Sequence, residues 1–242
     1  MQSSLIEWPG KIATVIALQG CNFRCPYCHS APLVPKEGDE VIPFDAVLRQ
    51  FGKLVGWLDG TVISGGEPLI HEDVRGLIER VRAEGLLVKL DTNGSFPDRL
   101  AEMIGDGLVE HVAMDLKAPL DAEKYSRAAG VNVRVEDIRR STEILREWGA
   151  SGGSYEFRTT LCPAVLTEDD VLAIAEEVAD APKWFLQQFR PMGCLDPAML
   201  EVEPWSEDRV REVADRCRAV CAHCMVRGED LASRAASAEA GA

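Results

Sequence analysis

Long hydrophobic runs are missing from this 242-residue chain. Its apolar stretches are short and strand-like, and none approaches the roughly 20 residues that a membrane-spanning helix needs. The opening stretch, Met1-Gln2-Ser3-Ser4-Leu5-Ile6-Glu7, lacks the basic n-region and long apolar run of a secretory signal. A cytoplasmic location is therefore expected. Positive charge is scarce as well: 26 Lys and Arg face 40 Asp and Glu, leaving a formal net charge of −14 and a pI near 4.8. That balance argues against a protein that grips nucleic-acid phosphates or an anionic membrane surface. No internal repeat is visible, and no linker divides the chain into independent domains.

What is present is an ordinary globular composition, 46% hydrophobic and 27% charged, at a length that can bury a full core. Short apolar runs alternate with segments of helical period. The strand-like runs are Ile12–Leu18, Thr61-Val62-Ile63, Leu86–Leu90, Val109–Leu116, Tyr155–Leu161 and Trp184–Phe189. Between them, Pro43 opens a segment with Phe44, Val47, Leu48, Phe51 and Leu58 on one helical face, and Val74, Leu77, Ile78 and Val81 mark a second helix. Leu100, Met103 and Ile104 mark a third, and Ile138, Ile144, Leu145 and Trp148 a longer one. Thr167 with Asp170 forms a capping-box pattern before Val171, Ile174 and Val178. A last helix is expected from about Trp205 to Cys221 or beyond, and the Ala-, Ser- and Glu-rich end from Glu229 reads as disordered. Six strands alternating with helices predict an α/β fold on a parallel sheet, either open or curled into a partial barrel.

Eight cysteines in a reducing compartment point to metal or redox chemistry rather than disulfides. Three of them, Cys21, Cys25 and Cys28, follow the first strand in the loop Gly20-Cys21-Asn22-Phe23-Arg24-Cys25-Pro26-Tyr27-Cys28-His29. Their C-x₃-C-x₂-C spacing lets three thiolates converge from one loop onto a metal centre. Three is one short of the four that close a zinc or cubane site, so a cubane held this way keeps one iron open to an amino acid's amino and carboxylate groups. The alternatives are a structural zinc with His29 as fourth ligand and buried cysteines without a metal.

The spacing, with the aromatic Tyr27 just before the last cysteine, resembles the signature of the radical S-adenosylmethionine (SAM) enzymes. Trp8-Pro9-Gly10-Lys11 and Leu18-Gln19-Gly20-Cys21-Asn22 resemble the opening of glycyl-radical-enzyme activating proteins, the activating protein of the anaerobic ribonucleoside-triphosphate reductase among them. The likeness runs from about Ser4 to Pro197. It implies a partial (β/α)₆ TIM-like barrel over residues 1–204, followed by a helix and cysteine segment at 205–228 and a disordered tail at 229–242. It also implies a [4Fe–4S] cluster on Cys21, Cys25 and Cys28, with Tyr27 beside it. A flavodoxin or ferredoxin would reduce the cluster, and SAM would be cleaved to methionine and a 5′-deoxyadenosyl radical. That radical would take a hydrogen atom from a glycine Cα of a glycyl-radical enzyme. No side chain need act as acid or base; the protein positions the reactants and keeps water out. The rival readings are a radical SAM enzyme acting on a small molecule or another peptide, and a Cys-rich zinc or iron–sulfur binding module.

The remaining strand ends carry further candidates. Ser64-Gly65-Gly66-Glu67-Pro68 reads alone as a turn, while the resemblance makes Gly65, Gly66, Glu67 and Pro68 the segment that holds the methionyl ammonium of SAM. Asp91-Thr92-Asn93-Gly94 reads alone as an Asn-Gly turn with Asp91 as a cap; the resemblance makes Asp91 and Asn93 part of the SAM site. Asp115 and Lys117 point to the same side of an extended strand, as a surface ion pair or, by the resemblance, as neighbours of SAM with Lys117 suited to a carboxylate. Arg158, Gln187, Gln188 and Arg190 face either a ligand-lined interior or water. His71 and His111 are expected to be solvated. Cys217, Cys221 and Cys224 repeat the C-x₃-C-x₂-C spacing, but i, i+4 and i+7 also make one helical face beside Val210, Val213 and Val220, and packing is the preferred reading.

Overall fold

A computed structural model describes residues 3–4, 7–38, 42–54 and 56–228. The expected disordered tail lies outside the described residues. The chain forms two compact units, one of Met1–Arg24, Ser30–Met114 and Glu136–Tyr155, the other of Cys25–His29, Asp115–Val135 and Glu156–Ala242.

In the first unit, strand β1 (Ser3–Ser4) pairs antiparallel with β2 (Ala13–Leu18). Strands β2, β3 (Gly60–Gly65), β4 (Leu87–Thr92) and β5 (His111–Asp115, Asp115 itself falling in the second unit) then pair in parallel, each with the next. The register runs from Ala13↔Gly60 to Leu18↔Gly65, and Thr92 is level with Met114. Parallel neighbours need crossovers, which the helices α1 (Phe44–Leu54), α2 (Val74–Ala83) and α3 (Pro97–Gly105) supply. Strands covered on both faces read as continuous apolar runs. Accordingly Val62, Ile63, Val88, Leu90, Val112, Ala113 and Met114 are all fully buried.

The second unit holds α4 (Ala122–Ala129) and the parallel strands β6 (Tyr155–Leu161, Tyr155 itself falling in the first unit), β7 (Trp184–Gln188) and β8 (Cys224–Val226), in that order. Helix α5 (Val135–Ala150) lies almost wholly in the first unit, while α6 (Glu168–Glu177) and α7 (Glu207–Arg218) are in the second. The capping box at α6 forms as read: Asp170 N–H donates to Thr167 Oγ1 at 3.2 Å, and Thr167 N–H donates to the Asp170 carboxylate at 2.9 Å. Both units are α/β with parallel strands, the expected class.

Three expectations needed correction. Eight strands occur among the described residues rather than six, because β1 and β8 are too short to show a period. Helix α1 ends at Leu54, so Leu58 lies beyond it, past Gly56 at φ +85°. Helix α7 ends at Arg218 and the chain turns into β8, so only Cys217 of the C-terminal trio is helical. Among the described residues, no helix is long and apolar enough to cross a membrane.

Candidate functional site

The loop after β2 is hydrogen-bonded to the loop after β3 backbone to backbone. Gly66 N–H donates to Leu18 O at 2.9 Å, Glu67 N–H to Gly20 O at 2.9 Å, and Gly20 N–H to Leu33 O at 2.7 Å. This close approach explains the paired glycines. A β-carbon on Gly66 would stand 1.9 Å from Gly20 O, and Gly65 sits at φ +111°, a left-handed conformation that glycine adopts without strain. Cys21 opens the cysteine loop with its N–H donating to Val34 O at 3.0 Å.

Glu67 is fully buried, and its carboxylate serves the chain. One oxygen accepts Leu69 N–H at 3.0 Å and the Thr92 hydroxyl at 2.9 Å; the other accepts Asn93 N–H at 2.6 Å. Asn93 is similarly occupied. Its amide donates to Asn22 Oδ1 at 2.9 Å and its oxygen accepts Ser95 N–H and Oγ–H at 3.0 and 2.6 Å. These two predicted ligand contacts therefore tie the cysteine loop, the glycine turn and the turn after β4 into one network. Asp91 accepts the Ser64 hydroxyl at 3.0 Å and lies 3.4 Å from the ammonium of Lys89, a fully buried lysine that also donates to Glu7 O at 2.6 Å. Sequence reasoning missed Lys89, although strand alternation puts it on the same side as Asp91.

In the second unit, Tyr27, Asp115 and Lys117 are neighbours. Lys117 Nζ donates to one Asp115 oxygen at 2.9 Å and Arg158 Nε to the other at 2.8 Å. Burial works against the Asp115 charge, but Arg158 and Lys117 outweigh it and hold the carboxyl well below the usual range. Burial alone would lower the Lys117 pKa, yet Asp115 and Cys25 push it up, so it stays cationic. The pair is thus no surface ion pair, and Arg158, open between a ligand-facing and a solvent-facing reading, belongs to it. The Tyr27 phenol is pushed up by burial and then by Cys25. Its hydroxyl is buried and finds no hydrogen-bond partner among the described residues, as suits a group that meets a ligand.

Among the described residues, no three Cys, His, Asp or Glu side chains converge as a metal site. The fit of an iron–sulfur cluster to Cys21, Cys25 and Cys28 rests on the donors: three soft thiols, none in a disulfide, on a single loop. Cys25 and Cys28 are joined by a turn in which Cys28 N–H donates to Cys25 O at 3.1 Å. His29, weighed as a fourth zinc ligand, instead directs Nε2 at Arg190 O, 2.7 Å away, which makes that nitrogen a donor. The other trio is buried, Cys217 and Cys221 fully. The Cys217 and Cys224 thiols interact, and the Cys221 thiol points at Val178 O at 3.3 Å. His111 is buried rather than solvated, with Nδ1 2.8 Å from Ser154 Oγ. His71 Nε2 is also buried, without a partner among the described residues.

The family model of the radical SAM superfamily matches residues 15–181, more than half of the chain. The chain belongs to the radical SAM superfamily. Over 212 residues it is 33% identical to a protein of Methanocaldococcus jannaschii provisionally named a glycyl-radical enzyme activating enzyme, covering 87% of this chain and 86% of that one. A radical SAM methyltransferase from Sphaerobacter thermophilus matches in structure with a TM-score of 0.69 at 16% identity, over 91% of this chain and 67% of its own. Streptococcus suis SuiB bound to S-adenosylmethionine matches with a TM-score of 0.65 at 12% identity, over 89% of this chain, which spans only 50% of SuiB. At such identities the likeness concerns the fold, the partial TIM-like barrel type that the motifs imply. Radical SAM enzymes work with a [4Fe–4S] cluster and SAM, and these are the cofactors of this chain.

Proposed function

We propose that the chain is an activating enzyme that generates a glycyl radical on a partner glycyl-radical enzyme, an anaerobic ribonucleotide reductase. The observation that carries this reading is the match to the Methanocaldococcus jannaschii protein, which spans 87% of this chain and 86% of that one. The match runs along most of both chains, so it supports the reading over the greater part of the length. A flavodoxin or ferredoxin supplies the electron, and the reaction takes place in the cytoplasm.

In this reading Cys21, Cys25 and Cys28 hold the cluster. When bound, the cluster and SAM supply a one-electron cleavage that ends in hydrogen abstraction. The chain's own residues position and shield. Glu67 braces the glycine turn from within, leaving the backbone of Gly65, Gly66 and Pro68 to face the methionyl ammonium. Asp91, held by Ser64 and Lys89, offers an acceptor to the amino group or ribose. Lys117, kept cationic beside Asp115, faces the carboxylate, and the Tyr27 hydroxyl donates to the ligand. Asn93 keeps the turn after β4 in place.

The test is anaerobic reconstitution with iron and sulfide, reduction, and assay of 5′-deoxyadenosine from SAM. Product is expected from the natural chain. Cys21→Ala, Cys25→Ala and Cys28→Ala should lose iron and product together, while Cys217→Ala keeps both. With the reductase added, an organic radical centred on glycine should appear in the electron paramagnetic resonance spectrum. A full, reducible cluster that yields no 5′-deoxyadenosine would sink the enzymatic reading; product without a radical on the partner would favour a small-molecule substrate.

A further inference from the structure

The cysteine loop divides between the two compact units. Its first part, through Arg24, belongs to the first, whereas Cys25–His29 belongs to the second. The reason is a set of bonds to the segment that follows β7. Leu195 N–H donates to Cys28 O at 3.1 Å, and Asp196 N–H donates to Pro26 O at 2.9 Å. From the near end of the same segment, Arg190 O accepts His29 Nε2–H at 2.7 Å. The His29 ring also stacks on Phe189, with centroids 6.0 Å apart and planes 22° from parallel. Phe189 is fully buried, so the stack anchors an exposed imidazole to the core.

A loop that carries metal ligands must hold them in one geometry, and ligands whose supporting bonds are removed release their metal more readily. Here the support for Cys25 and Cys28 comes partly from their own turn, in which Cys28 N–H donates to Cys25 O, and partly from far along the chain. The distant part comes from residues about 160 positions later, as the 161-residue separation of His29 and Arg190 shows. Two of the supporting bonds are backbone bonds, which side-chain identity at 195 and 196 does not affect. The third depends on a side chain able to donate to a carbonyl.

We infer that the segment 189–196 clamps the second half of the cysteine loop, and that His29 is a positioning residue for the cluster-bearing Cys28. The inference rests on the cluster reading above. Its role would be to hold the backbone of Cys28, and with it the thiol that would ligate the cluster, in one place. It adds no catalytic group.

The test compares four variants of the full chain after anaerobic reconstitution. His29→Phe keeps a ring on Phe189 but removes the donor, while His29→Gln keeps an N–H donor. Leu195→Pro removes the N–H that reaches Cys28 O, and Leu195→Ala keeps it. Iron release to an excess of a ferrous chelator is followed by absorbance, and the reduced cluster's paramagnetic resonance spectrum is recorded for each. His29→Phe and Leu195→Pro should release iron roughly twofold to tenfold faster than the natural chain, the equivalent of one hydrogen bond. His29→Gln and Leu195→Ala should release it at the natural rate with an unchanged spectrum. Natural rates in both His29→Phe and Leu195→Pro would overturn the clamp, and so would His29→Gln failing as fast as His29→Phe. Should Leu195→Pro not fold by circular dichroism, the His29 pair decides alone. Iron retention is read without any turnover. A natural chain that keeps iron but makes no 5′-deoxyadenosine therefore removes the activating-enzyme reading and leaves the clamp standing.

Discussion

Gly66 and Gly76 show how differently one residue type can be used in the same chain. A methyl group on Gly66 would meet the Gly20 carbonyl, whereas one on Gly76, inside α2, would meet nothing within 4 Å. Gly66→Ala is expected to cost about 3 kcal/mol, the upper end of overpacking, because the methyl meets backbone. Gly76→Ala should stabilise by roughly 0.5–1 kcal/mol, because alanine loses less conformational freedom in a helix. Urea denaturation of both variants beside the natural chain checks the opposite signs, and equal effects would refute the packing argument. The importance of Gly66 was legible from its place in Gly65-Gly66-Glu67-Pro68, but its cause was not. The motif suggested close approach by a ligand; the structure adds close approach by the chain itself. Glu67 and Asn93 were likewise legible as important residues, while their hydrogen bonds to Thr92 and Asn22 depend on how separate strand ends are placed side by side.

At the scale of elements, local rules carried far. The boundaries of β6 coincide with the strand-like run read from the sequence, and the Thr167–Asp170 pattern predicted the start of α6 because a capping box is complete within four residues. Thr167→Ala should cost about 1 kcal/mol, measured as a shift in the urea midpoint at constant slope. No shift would mean that Lys124, whose ammonium lies 2.6 Å from Asp170, holds the helix start without the threonine. Local rules failed where two elements shared one pattern. Cys217, Cys221 and Cys224 read as a helical face, yet they are divided among α7, a turn and β8. All three are buried by that turn as fully as a helical face would bury them. Spacing of i, i+4 and i+7 cannot separate these outcomes, since the helix end is set by the pairing of β8 with β7.

Across the whole molecule, acidity dominates the charge, and the half-buried Asp115 carboxylate is one group that makes stability depend on pH. Asp115 is held below its ordinary value of 3.8 by Arg158 and Lys117 against the opposing effect of burial. A depressed carboxyl contributes its stability fully above the unfolded value and loses it as the pH falls through the folded one. The natural chain should therefore lose stability as the pH falls below about 4. Asp115→Asn should be less stable at neutral pH by roughly 1–3 kcal/mol, since half-buried Lys117 and buried Arg158 lose a charged partner, and flatter in the acid range. Urea denaturation from pH 7 to about 3 tests both, and identical acid slopes would refute the assignment. By itself the sequence determined the α/β class, the six runs that form β2 to β7, the single loop bearing Cys21, Cys25 and Cys28, and the strand ends where further polar residues collect. These follow from periodicity and spacing, which are properties of neighbouring residues. Only the tertiary structure decided what each polar group touches: Arg158 on Asp115 across 43 positions, and Lys89 beside Asp91 with its reach to Glu7 across 82. The same holds for His29, which the sequence offered as a metal ligand and the fold turns toward Arg190. A hydrogen-bond partner is chosen by register and packing between distant segments, and no local pattern encodes that.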